Sequence, residues 1–92
     1  MTTLPSAEGI RRLLFYGGPA ARLLETMENS PENALSVQVL YHLALRHGVL
    51  SPSIAGEGLA MLPETSADAL AGRQLLEKLQ VRGEFLAVRV VR

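Results

Sequence analysis

The chain has no cysteine and no tryptophan, only two phenylalanines and two tyrosines, and no excess charge of either sign. Each shortage excludes something. Without cysteine there is no disulfide, no thiol nucleophile and no thiolate metal ligand. With so few rings, platforms for stacking bases or sugars are scarce. Nine basic residues balance nine acidic ones, whereas a dedicated nucleic-acid binder usually carries a basic excess. No apolar run approaches the roughly 20 residues of a membrane span. The opening, MTTLPSAEG, lacks the basic and apolar regions of a secretory signal. The expectation is a cytoplasmic protein that does not enter a membrane. What is abundant is aliphatic: hydrophobic residues are 48% of 92, mainly Leu, Val and Ala. A chain of this size makes one domain that buries roughly 60–65% of its unfolded surface. The expected domain is 1–92, with Met1 to Pro5 a loose, disordered end.

The most informative stretch is Ser30 to Gly48, SPENALSVQVLYHLALRHG. Ser30 suits a helix cap, Pro31 the first helical position and Glu32 the positive end of the dipole. Gly48 suits the residue past the end, with Arg46 and His47 in the last turn. Leu40, Ala44, Val37, Tyr41, Ala34 and Leu45 form one wide apolar face. Val39 and Leu43 form a second, narrower one. Gln38, His42 and Arg46 make a polar wedge between them. A helix apolar on two sides is expected to lie centrally, with neighbours on both.

Elsewhere the spacing predicts four more helices and a hairpin. Ser6 caps a first helix carrying Ile10, Leu13 and Leu14 and closing at Phe15 and Tyr16. Gly17-Gly18-Pro19 breaks it, and Pro19 opens a second with Ala20, Leu23, Leu24 and Met27 inward. After Gly48, Val49-Leu50 is an extended step. Ser51-Pro52 then starts a helix from Pro52 to Met61, with Ile54, Leu59 and Leu62 inward. Thr65 to Asp68 opens the last, Ser66 to Gln80, with Leu70, Leu75, Leu76 and Leu79 inward. From Glu84 to Arg92 the period changes to alternation, the mark of a strand. Leu86, Val88 and Val90 share one face, and Phe85, Ala87, Arg89 and Val91 the other. Arg82-Gly83 would turn Leu79–Arg82 back on Phe85–Val88 as a hairpin. A lone hairpin is marginal in water, so it would rest on the helices, take Val49-Leu50 as a third strand, or pair with a partner's edge. The fold expected is mostly α with a C-terminal β-hairpin, an α+β bundle of about five helices.

Candidate chemistry is thin. His42 and His47 lie five residues apart on one helix, about 140° around its axis, so they cannot share a metal. Gly17-Gly18-Pro19-Ala20 matches no phosphate-loop pattern. Ser51, Ser53, Thr65 and Ser66 have cap or loop explanations, and no carboxylates are paired. No catalytic residue, cofactor, metal site or small-molecule substrate is expected. Two surfaces carry more weight. Between Arg73 and Arg92 five bases (Arg73, Lys78, Arg82, Arg89, Arg92) face two acids, Glu77 and Glu84. They would serve as a guarded, solvated edge, or as contacts for phosphates or an acidic partner. Val39, Leu43, Phe85 and Val91 are candidates for exposed apolar contact with a partner.

From Leu43 to Val91 the order of elements, LALRHGVL, SPSIAGEGLAM, SADALAGRQLLEKLQ and VRGEFLAVRVV, resembles bacterial winged-helix domains. The resemblance implies that Pro52–Met61 is the first helix of a helix-turn-helix, Ser66–Gln80 the recognition helix, and Leu79–Val91 the wing. It places Thr65, Ser66 and Asp68 at the groove end and Arg73 and Arg82 near phosphates. Two readings follow. One is a non-enzymatic protein-interaction module, such as an adaptor, chaperone or regulatory subunit of a bacterial complex, self-associating or binding another protein. The other is a winged-helix DNA-binding regulator, with Arg73, Lys78, Arg82 and Arg89 as nucleic-acid contacts.

Overall fold

The computed structural model describes residues 6–92, so the loose end expected at Met1 to Pro5 lies outside the described residues. In chain order the elements are β1 (Arg12–Gly17), β2 (Arg22–Glu28), α1 (Ala34–His47), β3 (Val49–Leu50), α2 (Pro52–Met61), α3 (Leu70–Arg82) and β4 (Leu86–Val91). Short 3-10 turns, Pro31–Asn33 and Ala67–Ala69, lead into α1 and α3. The strands form one antiparallel sheet in the order β2-β1-β4-β3. The helices cover one face of it. The molecule is thus a two-layer α+β sandwich, which corrects the expected five-helix bundle with a C-terminal hairpin.

The first two expected helices are strands. Leu13, Leu14, Phe15 and Tyr16 satisfy a helical stripe and a strand alternation equally well. Length decides: six or seven residues are too few for a stable helix and ample for a strand. The run between them is a hairpin loop. The Ala21 N–H donates to the Gly18 carbonyl at 3.1 Å, and Gly18 and Ala21 both take positive φ, 77° and 50°. β1 then buries Leu13 and Phe15 toward the helices and turns Arg12, Leu14 and Tyr16 outward.

The C-terminal hairpin is also absent. α3 continues through Arg82, and Gly83, at φ 63°, ends it in the left-handed conformation. Leu79 and Arg82 are helical, so no local strand is there to meet β4. Instead β4 inserts beside β1, with Leu13 opposite Val90, Phe15 opposite Val88 and Gly17 opposite Leu86. Val49 and Leu50 flank its other side, opposite Ala87 and Leu86.

The 3-10 turn Pro31–Asn33 and then α1 fill the interval from Ser30, whose side chain makes no cap bond, to Gly48, whose φ is 79°. It touches β1, β3 and β4 on one side and α2 and α3 on the other. Val39 and Leu43 are fully buried, together with Val37, Leu40, Leu50, Leu62 and Leu76. α2 approaches closely because Gly58 has no side chain. A Cβ there would stand 2.7 Å from Leu43 Cδ1 and 2.5 Å from Leu76 Cδ1. Leu70, expected inward, is 57% exposed at the start of α3.

Two polar devices tie the helices together. The fully buried Ser36 hydroxyl donates to the Asp68 carbonyl at 2.8 Å and accepts from the Gly72 N–H at 2.9 Å. It caps α3 from another helix, since Ala69 at the cap position has no side chain to do so. The Arg73 guanidinium donates to the carbonyls of Leu59, at 3.1 Å, and Leu62, closing the last turn of α2.

Candidate functional site

The outer face of the sheet is covered by no helix among the described residues. Alternation along the strands sets out its rows. Leu23 lies beside Tyr16, Tyr16 beside Ala87, and Ala87 beside Val49, a row crossing all four strands. Below it, Thr26, Leu14 and Arg89 form a second row, and Glu28, Arg12 and Val91 a third. Phe85, 60% exposed, lies just before β4 beside Gly18, Leu24 and Glu84. Leu14, Tyr16, Val49 and Val91 are half-buried, yet none packs against the core. The result is an apolar patch bordered by charge, wide for so small a chain.

Its electrostatics are uneven. Arg12 Nε pairs with Glu28 at 3.2 Å across β1 and β2. Arg89 makes no ion pair among the described residues, although it stands between Leu14, Ala87 and Val91. An uncommitted guanidinium among aliphatic neighbours is the composition of an interface anchor.

Of the residues singled out by sequence, Val91 and Arg89 lie on this face, and Phe85 is exposed just before β4. Val39 and Leu43 do not, because α1 has neighbours on both flanks and both side chains are core. That corrects their expected exposure. Arg73 is taken up by the end of α2 and by Glu64 and Glu77, at 3.4 and 3.7 Å. Arg82 pairs with Glu84 at 3.6 Å. Lys78 and Arg82 border a cleft of about 200 Å³ between β2 and α3, lined also by Leu24, Glu25 and Leu79. The two signs of charge mix there. The four bases therefore form no single basic surface: Arg73, Lys78 and Arg82 are on α3, and Arg89 is on the opposite layer. His47 Nε2 lies 3.0 Å from Glu57 Oε2, linking α1 to α2, and His42 is half-buried on α1. No helix among the described residues is long and apolar enough to cross a membrane.

Residues 1–73 match a family described as an uncharacterized protein conserved in bacteria, DUF2322. The chain belongs to DUF2322. No winged-helix family is found, and the sheet order leaves no wing, so that resemblance is corrected. No curated protein and no solved structure matches the chain. The DUF2322 match takes in β1, β2, α1, β3 and α2 and ends at Arg73, early in α3. It thus covers three of the four strands behind the open face. Sequence reasoning missed Leu14, Tyr16, Leu23 and Val49 there, and placed Ala87 on the face of Arg89 and Val91 without singling it out. The signal for the first three was the period-two reading of RLLFYG and RLLETME, hidden by an equally good helical one.

Proposed function

We propose that this DUF2322 protein is a small, non-enzymatic, cytoplasmic interaction module of bacteria. It binds a protein surface through the open face of its sheet. Adaptor, chaperone and regulatory-subunit roles are all forms of this reading. The observation that carries it is the contiguous patch of Leu14, Tyr16, Leu23, Val49, Ala87 and Val91, standing clear of the core. Apolar contact area with an arginine and a tyrosine near its centre is what protein interfaces concentrate. The nucleic-acid alternative rested on a recognition helix and wing. Arg73, its first phosphate contact, is already bonded to carbonyls of α2.

The test is site-specific photo-crosslinking in the bacterial host. A photoreactive residue at position 87 should give discrete protein adducts on irradiation. The same residue at Val81, 87% exposed on the helical layer, should give none. Failure of position 87 to form any adduct overturns the reading.

A further inference from the structure

We draw no further inference here: the strongest candidate, the groove between the edge strand β2 and α3 with its floor of Leu24, Leu75 and Leu79, is bordered by charges of both signs, and nothing in the structure shows what covers it.

Discussion

Ser36 is a hydroxyl in a setting otherwise made of Leu, Val and Ala. Its two hydrogen bonds, to the Asp68 carbonyl and from the Gly72 N–H, explain why an apolar residue does not stand there. Alanine in its place would leave a buried donor and acceptor without partners, at about 1–3 kcal/mol. Urea unfolding should show that loss for Ser36→Ala, and less than about 0.5 kcal/mol for exposed Ser53→Ala. Arg73 teaches the same lesson about cations. Read in sequence it is a surface base four residues from Glu77. In the fold its side chain is 18% exposed and serves carbonyls that α2 cannot satisfy itself. Nothing local in the sequence announces such a partner, because Leu59 and Leu62 are eleven or more residues away.

At the level of elements, the three helices and the strands β3 and β4 were legible, and β1 and β2 were not. Helix limits are written locally: Ser51 accepts from the Ile54 N–H at the start of α2, and Gly48 and Gly83 end α1 and α3. Strand identity in β1 depends on finding β2 and β4, and β4 arrives from the far end of the chain. Alternation in β4 was nonetheless visible, and within the strand it separated Leu86, Val88 and Val90 from Ala87, Arg89 and Val91 correctly. Neighbouring positions on that strand should therefore respond in opposite ways. Val88→Asp puts a carboxylate against the core and should cost on the order of 2–4 kcal/mol. Ala87→Asp points to the open face and should change stability by less than about 0.5 kcal/mol in dilute solution. Equal costs would mean that something already covers the outer face.

The whole molecule is joined by its most distant segments. β1 and β4 are central neighbours, yet Arg12 pairs with Val91. Neither strand can be replaced by a local hairpin, since β2 alone would leave β1 with one open edge and α1 without a floor. Such non-local pairing slows folding. Refolding of this chain by stopped flow should take milliseconds to seconds, not the microseconds of a helical bundle of the same length. The five-helix expectation erred at this scale: short loops suggested local neighbours, and the core strand came from nearly eighty residues away.

Because Arg12 and Val91 sit side by side where two antiparallel neighbours begin and finish, the chain behaves like a zipper when tugged. Tension applied at its two extremities would open the ladder rung by rung and would never load the bonds in parallel. A ratcheting unfoldase that grips the tail would extract the middle of the sheet first. Mechanical fragility at that seam thus accompanies a thermodynamically well-packed interior.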